Sequence, residues 1–399
     1  MDTITHGIAG ALVGKAFFAG RGNEAMNSPA SEDAGYRARA GRVAIWAATL
    51  GGIFPDSDAV LGLFDANGMA VISSHRGVTH SFLCLPLWAV LLAGLTRWFC
   101  RRREMACPSL AALCGIYGVG IALHIFLDLI TSFGTMIWAP LAATRAAWDL
   151  VFIIDFALTA TVLLPQVAAW VHRERVTQPL RALFAWGFFV LAAFGVRWLA
   201  LRLELQLTLW MAPVAAVLLG ALCFLPVLRG WGCRVSRRAW CRAGVLALAA
   251  YLSACSFAHR AALGAVEEYA ARQHLRVEAI AAIPLPPSLL NWSGLVRTAD
   301  GVHFAILHLP AARPPKFGFS GDAADNPFIS EARKLPEVQT FLGFARFPVV
   351  RYSERGGVSV VEFSDLRFYG RRVRGPQPFT YRVMLDAQGR VISFGWADD

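Results

Sequence analysis

Residues 121–134 read Ile121-Ala122-Leu123-His124-Ile125-Phe126-Leu127-Asp128-Leu129-Ile130-Thr131-Ser132-Phe133-Gly134. Up to Leu129 this stretch is apolar except for His124 and Asp128, which stand four residues apart and so share one face of a helix. Ionisable groups inside an apolar run must face protein or water, because lipid cannot solvate them. The stretch therefore points to a helical membrane domain with a polar site inside it. The pair itself reads in two ways, as a metal-chelating or ligand-orienting pair or as a His–Asp hydrogen bond joining two helices.

The composition agrees with a membrane protein. The chain is 56% hydrophobic and only 16% charged, with a mean hydropathy of +0.49, too apolar for an ordinary water-soluble protein. The long apolar runs lie in residues 1–260, whereas residues 262–399 read as water-soluble. The expected division is a transmembrane site domain, with its motifs in 1–160, and a soluble extracytoplasmic domain. The net charge of +11 is almost wholly arginine, with Lys15, Lys316 and Lys334 the only lysines. Arginine in short loops is explained first by membrane topology, which argues against a nucleic-acid partner. The eight cysteines all lie in or beside apolar segments and form no C-x-x-C pair, so a cysteine metal knuckle or redox motif is not expected. The first residues, Met1-Asp2-Thr3-Ile4-Thr5-His6, lack the basic start of a secretory signal.

A span needs about 20 apolar residues. Segments 80–99, 109–130, 150–171, 180–200 and 207–228 meet this, 243–259 is a shorter sixth, and 4–20 and 43–55 are marginal. Gly7, Gly10 and Gly14 on the first segment allow close helix packing. The arginine-rich loops 20–42, 97–108, 172–181 and 229–242 alternate with arginine-poor loops 56–78, 131–149 and 201–206. Eight crossings with the arginine-rich loops inside put the N-terminus and the C-terminal domain outside. That arrangement carries His6, Asp56, Asp58, His75, His80, His124, Asp128 and Asp149 to one side of the membrane.

Three further motifs bear chemistry. In Phe54-Pro55-Asp56-Ser57-Asp58 the proline ends an apolar run, and two carboxylates at i, i+2 suit a loop that offers oxygens to a cation or a solvated turn. In Ser74-His75-Arg76-Gly77-Val78-Thr79-His80-Ser81 the histidines converge if His75 is in the loop and Thr79 caps the helix that His80 begins; Arg76 is a partner for an anion. Asp149, Asp155 and Arg145 complete the outer-side polar set, Asp155 being read as one and a half turns inside a helix and Arg145 as a second anion clamp.

Beyond 262, a short helix at 262–274 precedes strands at 302–309, 346–352, 357–363, 379–385 and 390–396, a long loop at 310–327 and one helix at 330–344. Gly356-Gly357 and Asp386-Ala387-Gln388-Gly389 mark hairpin turns. This predicts a small α+β domain with an antiparallel sheet.

The ordered set of Asp2-Thr3-Ile4-Thr5-His6-Gly7, then the Asp56, His75–His80 and His124/Asp128 motifs, then Asp149 and Asp155, resembles the YdjM-like family of bacterial inner-membrane metal-dependent hydrolases, associated with SOS-regulated (LexA) expression. The resemblance covers roughly residues 1–160. It implies a multi-pass inner-membrane protein in which His6, Asp56, His75, His80, His124, Asp128 and Asp149 match the family's positions. Phe156 departs from it, since proline is expected after the aspartate at 155.

The leading expectation is a hydrolase at the periplasmic face that uses metal-activated water on a phosphoester or a lipid-linked anionic substrate. One or two divalent ions, zinc before manganese or magnesium because of the histidine share, would bind among His6, Asp56, His75, His80, His124 and Asp128. Asp58 or Asp149 would orient ligands or act as general base, and Arg76 and Arg145 would hold the anion. The alternatives are a transporter using the same cluster as an ion path, and a non-catalytic anchor presenting residues 262–399 to a partner.

Overall fold

The computed structural model describes residues 1–19, 32–65, 68–202, 211–310, 314–368 and 377–397. Arg21 of the 20–42 segment and residues 203–206 of the 201–206 loop lie outside the described residues.

The N-terminal part is helical. Its helices are α1 (Thr3–Val13), α2 (Glu32–Ile53), α4 (Leu85–Arg102), α5 (Leu110–Leu129), α6 (Phe156–Val171), α7 (Gln178–Arg202), α8 (Met211–Leu228) and α9 (Arg237–Arg272), with a one-turn α3 (Ala70–Ser73) before α4. Several start where a side chain accepts an otherwise orphaned backbone N–H. Asp2 caps α1, Ser109 caps α5, Asp155 caps α6 and Ser236 caps α9. Among the described residues, three helices are long and apolar enough to cross a membrane: Leu110–Leu129, Gln178–Gly195 and Arg237–Arg272. A fourth crossing is possible if the pair Ala70–His80 and Leu85–Arg102, bent by 74°, forms one span.

The packing of α1, α2 and α5 positions the site. A Cβ on Gly10 would lie 2.4 Å from the Ala48 carbonyl oxygen, one on Gly52 2.7 Å from that of His6, and one on Gly120 2.8 Å from that of Ala48. The three helices thus touch backbone to backbone, as small residues permit in a membrane bundle. This contact brings His6, the end of α2 and His124 together.

The C-terminal part holds two four-stranded antiparallel sheets, in orders β1-β2-β3-β4 and β5-β6-β7-β8. The first comprises β1 (Ala279–Leu285), β2 (Asn291–Thr298), β3 (Gly301–His308) and β4 (Gly318–Gly321). The second comprises β5 (Pro348–Arg355), β6 (Val358–Asp365), β7 (Thr380–Leu385) and β8 (Val391–Trp396). Helices α10 (Pro327–Ala332) and α11 (Pro336–Phe344) pack on the second sheet, in a core completed by Met69, Ile72 and Phe133 of the N-terminal part. The first sheet packs on α9 through Ala262, Val266 and Ala270.

Several expectations change. The helices read as 243–259 and 262–274 are one 36-residue helix, α9, because Arg260 is simply exposed on it. The change of character at 260–262 falls inside this helix. The helix read at 330–344 is two, since Pro336 lacks an N–H and disfavours helical Leu335. Strands β1 and β2 went unread because their middles are buried without alternation, between α9 and the Phe347–Val349 side of the second sheet. β4 lies within the expected 310–327 loop, of which 311–313 fall outside the described residues. Asp155 is not inside a helix: α6 starts after it, and Phe156 takes the first helical position, where the family's proline would also fit without a bend.

Gly10→Ala should lower the detergent-solubilised melting temperature, with a destabilisation of about 1–3 kcal/mol, because a carbonyl oxygen cannot rotate away from the new Cβ. Gly94→Ala, with nothing within 4 Å of the added Cβ, should be neutral or slightly stabilising. Equal melting temperatures for the two variants would refute the backbone contact.

Candidate metal centre

Four side chains from three places converge. Asp56 lies in the 3-10 turn Phe54–Phe64 that follows α2, where Pro55 breaks the helix. His80 ends the short 3-10 turn Val78–His80, so it lies ahead of α4 and not at its start, and Thr79 is part of that turn instead of a helix cap. His124 and Asp128 occupy one face of α5, as their spacing requires. One ligand atom from each of Asp56, His80, His124 and Asp128 lies within 4.8 Å of the others, and the set could hold a metal ion. The Nε2 atoms of His80 and His124 are 3.1 Å apart. Asp128 Oδ2 is 3.2 Å from His80 Nε2 and 3.5 Å from His124 Nε2. Asp56 Oδ1 is 3.5 Å and 3.4 Å from the same two nitrogens.

The surrounding hydrogen bonds fix which ring nitrogens face inward. His124 Nδ1 lies 2.7 Å from the Gly52 carbonyl, which only accepts, so Nδ1 carries the proton. Thr79 Oγ1 donates to Asp58 Oδ2 at 2.9 Å, so it can only accept from His80 Nδ1, 3.0 Å away. Both imidazoles then present Nε2 lone pairs to each other and to two carboxylates. Asp128 Oδ2 is buried with no hydrogen-bond donor. Such an electron-rich cluster needs a positive charge among its members, which a bound cation or a second proton on one of the imidazoles supplies. The donor set therefore fits a divalent metal.

Outer groups hold the ligands. Asp58 accepts from His75 Nδ1 at 2.8 Å, the Arg76 backbone N–H at 3.0 Å and Thr79 Oγ1 at 2.9 Å. Burial pushes its carboxyl up, but the hydrogen bonds with His75 and His80 outweigh this and hold it well below the usual carboxylate range. Asp128 Oδ1 pairs with Arg76 Nη2 at 2.9 Å, with His6 Nε2 at 3.1 Å and with the Met1 amino group. His6 stacks on His124 with ring centroids 3.6 Å apart. Arg76 is buried at a positive φ of 60°, donates to Thr131 Oγ1 at 2.9 Å and lies over the Phe133 ring.

Of the six sequence-predicted ligands, the structure joins Asp56, His80, His124 and Asp128. His6 and His75 are adjacent but address the outer oxygens of Asp128 and Asp58. Among the four predicted catalytic groups, Asp58 and Arg76 border the cluster. Arg145 and Asp149 do not: Arg145 donates to the Gly134, Ile72 and His75 carbonyls, and Asp149 pairs with Arg346 at 3.0 Å. Burial, with Arg76 and Arg367 close by, lowers the Arg145 guanidinium to about 10. Asp155 accepts from Tyr251 Oη at 2.7 Å. Sequence reasoning did not single out Thr3, whose hydroxyl donates to Asp56 at 2.6 Å, or Thr131, though both lie within quoted motifs. Arg346 and Arg367, which bond Asp149 and the Ser132 carbonyl, carry no local signal.

Comparison with known proteins gives two family matches. Residues 1–204, more than half of the chain, match the YdjM inner membrane protein family, and residues 327–398 match the YfhP C-terminal alpha/beta plait domain. A relative from Bacillus subtilis (strain 168), described as "Uncharacterized protein YfhP", is 30% identical over 113 residues. That match covers 28% of this chain and 32% of the relative, about a third of its length. No solved structure matches.

His80→Ala and Asp128→Asn should each abolish stoichiometric metal in the purified protein, as read by elemental analysis, whereas Asp58→Asn should retain it with roughly 10–100-fold weaker affinity. His6→Ala should keep the metal, because its ring addresses Asp128 from behind. Unchanged metal content in His80→Ala would eliminate this ligand set.

Proposed function

The chain belongs to the YdjM inner membrane protein family, and we propose that it is a metal-dependent hydrolase working from the periplasmic face on a phosphoester or lipid-linked anionic substrate. The observation that carries this reading is the spacing of the four ligand atoms, five of whose separations run from 3.1 to 3.5 Å. A tetrahedron with metal–ligand bonds of about 2.0–2.2 Å has edges of about 3.3–3.6 Å, which favours zinc. When bound, such an ion supplies Lewis acidity, making water a nucleophile near neutral pH and stabilising charge on a phosphoryl oxygen.

The protein's own groups then have distinct parts. Asp58 fixes the His80 ring through Thr79, and because its hydrogen bonds hold its carboxyl well below the usual carboxylate range it orients this ligand instead of taking up a proton. His75, with 24% of its side chain exposed, donates to Asp58 and links it to the solvent-facing side of the site. Arg76 compensates the buried Asp128 charge, so its role is to hold a ligand more than to clamp a substrate. A cleft of about 310 Å³ bordered by Asp58, Ser74, Gly77, Thr79 and Pro140 offers the approach. The periplasmic placement rests on arginine loops at one end of the bundle and the cluster at the other: His124 lies about 22 Å along α5 from its Ser109 cap. The eight-crossing topology, with the 262–399 domain outside, is part of the same proposal.

A second reading has its own support. Four protein ligands close a tetrahedron, as structural zinc sites do. Hydrolysis of bis(p-nitrophenyl) phosphate separates the two. The catalytic reading expects chelator-sensitive turnover, restored by zinc or manganese and reduced at least about 100-fold in His124→Ala. A metal whose removal lowers the melting temperature, with no turnover by the loaded protein on phosphoesters including phospholipids, would establish the structural role instead.

A further inference from the structure

A groove of about 680 Å³ runs along the outside of the bundle between α1, α2 and α6, away from the ligand cluster. Its walls include Ile4, Ile8, Ile53, Leu163 and Val167, and one end carries Lys15, Arg173 and Arg237. Ile4 and Trp170 on its rim are exposed, so it opens sideways, toward lipid in a membrane. From Ile4 to Lys15 it follows eleven residues of α1 and the turn after it, about 16 Å at helical rise. That is about half the hydrocarbon thickness of a bilayer, the reach of one acyl chain.

Lys15 and Arg237 meet no acid among the described residues of the groove. Among the described residues no Asp or Glu lines the groove, and no ion pair joins Lys15 or Arg237 to a carboxylate. Lys15 Nζ donates to Gln166 Oε1 at 2.6 Å. The Gln166 amide is itself fixed by donating to the Ile8 and Val162 carbonyls, at 2.9 and 2.8 Å. Two of the three ammonium donors therefore remain for another acceptor. Arg237 acts on the Lys15 charge from the first residue of α9, whose first turn contains no acid. Cations at the positive end of a helix are unfavourable, and an anion there relieves both the dipole and the mutual repulsion.

We propose that this groove binds one anionic phospholipid from the leaflet on the arginine-rich side, its phosphate held by Lys15 and Arg237 and one acyl chain lying along α1. Lys15 is nine residues from His6, about 13–14 Å along α1. This lipid is therefore a resident of the bundle and does not present its phosphate to the metal centre. The proposal stands independently of hydrolysis.

Native mass spectrometry of the full-length protein in detergent tests it, with dioleoyl phosphatidylglycerol, dioleoyl phosphatidylcholine and inorganic phosphate as probes. One phosphatidylglycerol should be retained at least tenfold more tightly than phosphatidylcholine. Lys15→Met combined with Arg237→Gln should remove most of that preference, roughly tenfold or more. Ala11→Phe, which fills the groove without touching charge, should weaken both lipids. Monodisperse elution and unchanged helical circular dichroism report the fold, and Lys15→Arg with Arg237→Gln replaces any double variant that fails them. Equal binding of the two lipids, wild-type binding by the charge and groove variants, or full competition by inorganic phosphate at comparable concentration would each overturn the proposal.

Discussion

A fully buried carboxylate organises this protein. Asp128 sits on α5 out of reach of water, and an unpaired charge there would cost several kcal/mol. One oxygen is matched by Arg76, His6 and the Met1 amino group; the other faces two imidazole nitrogens with no donor of its own. Satisfying the first oxygen pulls α1 and the 74–81 loop against α5. Leaving the second bare creates the demand for a cation. The glycine contacts among α1, α2 and α5 are what let three backbones come close enough to supply these partners.

The sequence made the polar cluster legible because polar residues in apolar surroundings are few and each needs a partner. His124 and Asp128 could be placed by helical spacing alone, and Asp56, His75 and His80 by their positions at the ends of apolar runs. Sorting ligands from supporters was not possible at that level. His6 stands alone in its motif and His80 shares one with His75, yet neither setting reveals that the first stacks behind the cluster and the second faces into it. The difference lies in which ring nitrogen meets a carbonyl, hydroxyl or carboxylate from another element. Arg145 and Asp149 show the converse. Both were expected at the site, but carbonyl oxygens and Arg346 claim them.

Fold reading succeeded where the sequence carries its own strand pattern. Strands β3 and β5 to β8 were predicted within a few residues, and β6 and β7 show the alternating burial that such a pattern implies. β1 and β2 are covered on both faces, which erases the alternation, and nothing local distinguishes them. The continuity of α9 was hidden because a single exposed arginine resembles the end of a membrane segment. In a helix that leaves the bundle and continues to a sheet, such a residue marks only where the surroundings change.

The plait domain's attachment to the rest of the molecule has a consequence in time. Its core is closed by Met69, Ile72 and Phe133, and its bonds to the helical part join residues 197, 235 and 328 positions apart. The cluster residues, by contrast, are all present once the chain has been made to Asp128. At ordinary synthesis rates the partners in these long-range bonds, beginning with Arg346, follow roughly 10–40 s later. Contacts of such long separation also form slowly. The nascent helical bundle therefore passes through a stage in which every ligand residue has been made while Met69, Ile72 and Phe133 still lack the sheet that covers them.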